Sequence, residues 1–409
     1  MKRLLQVGIM SAPTLRFALH GNYTFAGKTY TGEQTAVCQN SQVLFHGNLY
    51  KSLNFTGGDS FTLREVTIGV NFHWQRQEDQ TFTGDLCILS GQDKVLYPDV
   101  GLIAINQIDV EDYLASVISS EMAATSSLEL LKVHAVISRS WLLHPLLSPQ
   151  SSAVQVSYPI IESNRVIRIY ERDAHRLFDV CADDHCQRYQ GITRQTSPNV
   201  QAAIDATCGE VLTYNGEVCD ARFYKCCGGR TEVFETCWAE TPHPYIESVE
   251  DSFCDTSDRR ILQQVLNDYD LQTRHFHDWE VRYTQAELSE LIHHKSGIDF
   301  GEILSLTPLK RGASGRIYEL EVVGTKRRMI VGKELEIRRW LSPTHLYSSA
   351  FTIDTITDGS GISFLLCGKG WGHGVGLCQI GAAVMADKGY DYQQILAHYF
   401  PKATLNRLQ

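Results

Sequence analysis

The 409-residue chain lacks several features, each of which would have settled its class at once. It has no long apolar run: the most hydrophobic stretches, such as Ile137 to Leu147, are short and broken by Arg139 and His144, so no transmembrane segment is expected. It has no surplus of positive charge. A formal net charge of -10 argues against nucleic acid as a partner, because a phosphate backbone calls for a basic surface, and equally against a basic membrane-surface patch. It has no internal repeat and no low-complexity tract. No export signal is legible: Lys2 and Arg3 make a basic start, but Gln6, Ser11, Pro13 and Arg16 interrupt the apolar stretch after them, and Leu4 to Met10 reads better as a first strand. Dinucleotide and Walker fingerprints are also missing, so no organic cofactor is expected.

What is present is ordinary folded protein: 43% hydrophobic and 21% charged residues, over a length that predicts two or three domains. An acidic chain can still bind a mostly neutral polysaccharide through hydrogen bonds and aromatic stacking, and 18 Tyr, 16 Phe and 6 Trp supply the rings. Cysteine is plentiful but irregularly spaced. Cys181, Cys186, Cys208, Cys219, Cys226, Cys227, Cys237 and Cys254 crowd one stretch, which favours a metal site plus core thiols over a disulfide framework.

The fold class expected is α+β: an N-terminal antiparallel β domain over residues 1–98, then a mixed α+β core with a substrate cleft over 99–409, including an α+β subdomain at about 270–345. Thr62 to Val70 alternates like a strand, Gly47-Asn48 and Gly57-Gly58 read as turns, and Tyr97-Pro98-Asp99 reads as a boundary turn. The period then changes. Val110 to Met122 predicts a helix capped by Asp109, and Ser126-Ser127-Leu128-Glu129 a capping box that starts a second. Further on, Gln285 to His294 predicts a helix, and Tyr318 to Val323 and Ile362 to Cys367 predict strands. Gln379 to Lys388 is expected to be helical, ended by Gly389, with a last helix capped by Asp391 and Gln394 and stopped by Pro401.

Two features carry chemistry. Gly368, Gly370, Gly372, Gly374 and Gly376 occupy every second place of one loop, which removes a whole side of side chains and lets a ligand or another backbone approach. Trp371 and His373 project from it. As a cleft loop it would offer His373 as a polar contact; the plainer reading is a tight backbone crossing. The second feature is Glu121 in Ser119-Ser120-Glu121-Met122. A carboxylate at a helix C-terminus faces the negative end of the dipole, and a cleft would desolvate it further, both favouring the protonated form of a general acid. A solvated surface glutamate is the plainer alternative.

Three ordered blocks resemble the stage II sporulation protein D / amidase-enhancer family. The first is Tyr113-Leu114, Val117 and Ser120-Glu121-Met122, followed by Ala135 to Trp141 with Arg139. The second is Cys226-Cys227-Gly228-Gly229-Arg230-Thr231. The third is Gly370 to Ala382 followed by Ile395, Leu396, His398, Tyr399, Phe400 and Pro401. Sporulation members of this family act as lytic transglycosylases on the glycan strands of peptidoglycan, with the Glu of the S-E-M segment catalytic, which falls on Glu121. The reaction would end in a 1,6-anhydromuramic product, and no second carboxylate is needed. Other members enhance a cell-wall amidase, so a non-catalytic glycan-binding partner of such an amidase is the alternative. The resemblance implies a cell envelope or periplasmic location, in tension with the missing signal. Substrate contacts are expected from Arg139, Gly228, Gly229, Thr231, Trp371, His373 and Gln379. Ala123, Ser126 and Ser127 depart from the family's proline-containing turn, and Cys227 stands where Ser is common.

His175, Cys181, His185 and Cys186 offer two imidazoles and two thiols, a set that suits a closed, structural zinc site. Family relatives can carry zinc in this region. Cys208, Cys219 or Cys226 could replace one ligand, Asp183 and Asp184 could support His185, and buried core thiols are the plainer reading. Cys378 or Cys226 as a nucleophile, and a cytoplasmic thiol or metal protein, are the remoter alternatives.

Overall fold

A computed structural model describes residues 3–408, apart from 70–74, 94–96, 148–159, 171–174, 184, 196, 267–275 and 360. The protein is α+β, with antiparallel strands at its N-terminus. Two compact units divide the chain: residues 1–139, 172–210 and 407–409 form the first, residues 140–171 and 211–406 the second.

Ten strands open the first unit: β1 (Leu4–Ala12), β2 (Thr14–Phe25), β3 (Lys28–Gln39), β4 (Gln42–Phe45), β5 (Asn48–Tyr50), β6 (Ser52–Phe55), β7 (Ser60–Ile68), β8 (Arg76–Phe82), β9 (Asp85–Asp93) and β10 (Tyr97–Asp109). They make two sheets. One runs β5-β4-β3-β2-β7-β8 and is antiparallel throughout. The other orders the short strand Val180–Cys181, then β1-β10-β9-β6, with only the short strand parallel to its neighbour. The period-two burial along β2 points Phe17 and Leu19 inward. Phe55 of the second sheet meets Phe17, Phe25, Tyr30 and Phe45 of the first at ring separations of 5.5 to 5.7 Å, so the sheets share one aromatic core. Tyr97-Pro98-Asp99 is not a turn. It opens β10, with Tyr97 opposite Asp93, and an irregularity between Tyr97 and Gly101 accommodates the proline that a regular ladder would reject.

β10 runs directly into a helix, α1 (Val110–Glu121), because Asp109 ends the strand in extended geometry and its carboxylate accepts from the Glu111 N–H. The next helix, α2 (Leu128–Leu147), starts as expected, but the Ser127 hydroxyl is the acceptor for the Leu130 amide, one residue later than the Ser126 box predicted. The unit boundary falls within α2, after Arg139.

In the second unit, strands Ile160–Glu162, Arg165–Ile167, Arg328–Gly332, Ile317–Gly324 and Ile303–Arg311 form one sheet in that order, and Asp278–Thr284, Gly361–Lys369 and Phe351–Asp358 another. Helices Gln285–Ser296 and Glu334–Trp340 contribute to their common core of Trp279, Leu288, Ile292, Trp340 and Phe364. The helix expected at Gln285 carries a full capping box from Thr284 and Glu287 and ends at left-handed Gly297. The Gly-rich loop links strand Gly361–Lys369 to helix Gln379–Asp387, and Asp391 with Gln394 caps the last helix, Tyr392–Tyr399. Among the described residues no helix is long and apolar enough to cross a membrane.

Candidate functional site

Glu121 is the last residue of α1. It is 8% exposed, and its Oε1 accepts from the Arg188 N–H at 3.1 Å. Its two serine neighbours serve the helix itself: Ser119 Oγ donates to the carbonyls of Ala115 and Ser116, and Ser120 Oγ to that of Ser116. The turn after it closes through the Ser126 N–H on the Ala123 carbonyl.

Arg139 does not serve Glu121. Its guanidinium, 1% exposed, forms a two-pronged ion pair with Glu111 at 2.9 and 2.5 Å, and its Nη1 donates to the Glu210 carbonyl. Glu111 lies ten residues before Glu121 on α1, about 15 Å along the axis. A guanidinium spent in this way cannot also receive a substrate carboxylate, so the expected substrate role gives way to a structural one.

His175, Cys181, His185 and Cys186 do come together. Their ligand atoms all lie within 4.8 Å of one another and could hold a metal ion. Cys186 Sγ is 3.5 Å from His175 Nε2 and 3.5 Å from His185 Nδ1, and Cys181 Sγ is 3.9 Å from His185 Nδ1. The backbone explains how adjacent His185 and Cys186 both turn inward. Val180–Cys181 is held beside β1, and the Cys186 N–H folds back onto the Asp183 carbonyl. Burial works against a Cys186 thiolate, yet hydrogen bonds from Cys181, His175 and His185 hold its pKa well below the usual value; the hydrogen bond to Cys186 and then burial raise that of Cys181. The four gather without Cys208, Cys219 or Cys226. Asp183 contributes its carbonyl, and Asp184 lies outside the described residues. Arg188, whose amide holds Glu121, follows Cys186 by two residues. A nearby pocket of about 90 Å³, lined by Met10, Ser11, Ile68, Asp183, Arg188 and Tyr189, is too small for a sugar chain.

In the second unit, the second and third sequence blocks interlock. Phe223–Tyr224 pairs in parallel with Leu377–Cys378, Cys226 bridges Trp371, and Glu232 bridges Val375. The alternating glycines serve this crossing. Gly370, Gly372, Gly374 and Gly376 all have φ between 77° and 98°. A Cβ on Gly374 would stand 2.4 Å from Arg316 Cζ, and one on Gly376 would stand 2.2 Å from the Arg222 carbonyl oxygen. The approaching backbone is therefore the protein's own. Gly228 has the same role, facing Lys369 and Gly370, while the Gly229 N–H reaches Cys254 Sγ.

His373 is half-buried against Tyr224 and Trp238. Its Nδ1 accepts from the Val375 N–H, and the Phe223 main chain also bonds the ring. Burial and then the positive charges of Arg222, Arg316 and Arg338 hold its pKa well below the usual value, so the imidazole is neutral at pH 7. Thr231 is buried, its hydroxyl donating to the Glu247 carbonyl and accepting from Val249, which removes it from substrate contact. Gln379 is buried too. Trp371 is half-buried, edge-on to Tyr347. Cys226 and Cys378 are buried among other thiols, which disfavours either as a nucleophile.

Sequence reasoning missed the charged residues that lock this crossing. Buried Arg316 donates to the carbonyls of Gly372 and Cys227, and buried Glu232 accepts from the amides of Ala313 and Ser314. No local pattern marks either, since their partners lie 56 to 89 positions away.

A buried glutamate at a helix end and a His/Cys cluster in one strand-rich unit, and a glycine-built crossing in the other, are the parts to which known proteins can be compared. Residues 99–214 match the family model described as stage II sporulation protein, and the chain carries a domain of that family; residues 232–376 match a domain of unknown function (DUF8618). Stage II sporulation protein D of Bacillus subtilis (strain 168) is 24% identical over 301 residues, 73% of this chain and 74% of that protein. An uncharacterized protein of Brachyspira hyodysenteriae is 27% identical over 302 residues, 73% and 67% of the two chains. The amidase enhancer of B. subtilis is 25% identical over 324 residues, 71% of this chain but 40% of that protein.

Proposed function

We propose that this protein cleaves the glycan strands of peptidoglycan as a lytic transglycosylase in the cell envelope, with Glu121 as its acid/base. One observation supports this reading above the others: the buried Glu121 carboxylate is held by the amide of Arg188, two residues beyond the His175, Cys181, His185 and Cys186 cluster. A catalytic carboxyl group needs such a fixed position. In the proposed reaction Glu121 gives its proton to the glycosidic oxygen as positive charge develops at the anomeric carbon. The resulting carboxylate takes the proton of the muramic 6-hydroxyl, whose oxygen closes the anhydro ring. Proton and leaving group balance, and Glu121 ends protonated again.

The donor set suits structural zinc. A tetrahedral zinc centre separates sulfur and nitrogen ligands by about 3.6 Å, against 3.5 to 3.9 Å here. Four protein ligands leave no open position, so zinc would supply rigidity to the Cys181–Arg188 segment and no reaction step. In the second unit, half-buried Trp371 is the group best suited to stack on a sugar.

The likeness to an amidase enhancer favours a second reading, in which the protein binds glycan and activates a partner amidase without cleaving anything itself. Mass spectrometry of purified glycan strands, with and without stem peptides, separates the two. Anhydro-ended fragments from wild type but not from Glu121→Ala support the transglycosylase. Reducing ends would mean hydrolysis. Intact strands, together with faster stem release by an added amidase, would support the enhancer.

A further inference from the structure

The second unit holds a cluster that neither reading uses. The thiols of Cys227, Cys254 and Cys378 and the carboxylate of Asp251 converge, with every ligand atom within 4.8 Å of every other and all four residues buried. Cys227 Sγ is 3.2 Å from Cys254 Sγ and 3.3 Å from Asp251 Oδ2. These are neither disulfide distances, about 2.0 Å, nor random core thiols around an apolar centre. We propose that Cys227, Asp251, Cys254 and Cys378 form a second, structural site for a thiophilic divalent cation of the zinc class.

The geometry suits it. A tetrahedral zinc site separates its sulfurs by about 3.8 Å and sulfur from oxygen by about 3.6 Å, so small rotamer adjustments bring all four atoms onto one ion. The carboxylate argues for a cation in particular. Asp251 Oδ2 stands 3.3 Å from Cys227 Sγ, so the cluster adds one carboxylate oxygen to three sulfurs, a donor set that a divalent cation of the zinc class takes. The surrounding donors are those that metal-bound thiolates and carboxylates take. The Gly229 N–H points at Cys254 Sγ, and the Gly381 N–H, in the first turn of helix Gln379–Asp387, points at Cys378 Sγ. The Tyr399 hydroxyl and the Phe253 N–H hold the two oxygens of Asp251. Gly381 has no side chain because a Cβ there would stand 2.1 Å from the Tyr399 hydroxyl and 2.4 Å from Asp251 Oδ2. Metal uptake displaces the thiol protons to solvent and changes no oxidation state.

The ligands come from the Cys-Cys-Gly-Gly segment, the 251–254 turn and the end of the Gly-rich loop. Such an ion would clamp the loop that carries Trp371 and His373 whichever functional reading holds.

Elemental analysis of the full-length protein, purified without chelator, tests this. Two equivalents of zinc per chain are expected, falling to one in Cys254→Ser and in Asp251→Asn, and to one, held by the second site, in Cys186→Ser. Cobalt titration of wild-type protein stripped of metal gives an answer independent of how those variants fold: two equivalents bind, both with thiolate-to-cobalt charge transfer. A single equivalent in wild type that is abolished by Cys186→Ser and untouched by Cys254→Ser would overturn the proposal. So would a Cys227–Cys254 disulfide in protein purified without reductant.

Discussion

Replacing Arg139 with Leu leaves the Glu111 carboxylate, 21% exposed, without its guanidinium, and the Glu210 carbonyl without its donor. Breaking a fully buried pair costs about 3–5 kcal/mol. Glu111 is partly solvated and still accepts from the Gly209 N–H, so the expected loss is smaller, about 2–4 kcal/mol. Glu111→Gln strands the guanidinium, 1% exposed, as a buried charge without a counter-ion and sets an amide –NH2 against one of its prongs, so it should lose about 3–5 kcal/mol. Because the two side chains meet directly, the double variant should fall short of the summed losses by at least about 1 kcal/mol. Urea unfolding, combined with hydrogen exchange in α1 and α2 peptides, reads these values on the first unit. The contrary outcome is specific: Arg139→Leu stable to within about 0.5 kcal/mol while glycan cleavage collapses. Arg139 would then act on substrate, and the assignment of its guanidinium to Glu111 would be refuted.

Burial holds His345 neutral and pushes its pKa down to about 4, helped by Arg338, Lys295 and Arg339. The unfolded chain takes up a proton near 6.5 and the folded one only near 4, so this contribution is complete above pH 6.5 and is lost as pH falls to 4. It amounts to roughly 3 kcal/mol, and His345→Gln should flatten that part of a stability-against-pH curve. Chelating metal from the first unit, or Cys186→Ser, should lower its unfolding free energy by about 4 kcal/mol if zinc is normally at a thousandfold excess over Kd, with zinc reversing the chelator effect; calorimetry with metal analysis checks it. Gly374→Ala forces a Cβ against Arg316 at positive φ and should cost about 1–3 kcal/mol, seen as a lower thermal midpoint of the second unit.

Much of the local structure is legible in the sequence. Asp109 before an apolar-periodic run announces α1, the periodicity of Gln285 to His294 marks a helix even without its Thr284 cap, and Asp391 with Gln394 marks the last cap. The His175 to Cys186 ligand spacing also points to a cluster that the fold does form. The illegible part consists of choices made by tertiary contact. Glu111 and Glu121 lie on one helix, and only packing decides which of them Arg139 meets. The alternating glycines leave open whether a ligand or the chain itself comes close, and Arg316 and Arg222 decide it. Cys227, Cys254 and Cys378 are too far apart in sequence for any spacing rule to join them. Tyr97-Pro98-Asp99 misleads because a proline that reads as a turn can sit where a ladder is already irregular.

Cleavage of denuded glycan strands by Glu121→Gln tests the central claim most directly. Glutamine keeps an oxygen for the Arg188 N–H, so the fold should persist while the proton donor is gone. The account predicts unchanged thermal stability and a rate of anhydro-end formation about 10²- to 10⁴-fold below wild type. A well-folded Glu121→Gln that releases anhydro ends at the wild-type rate would contradict it.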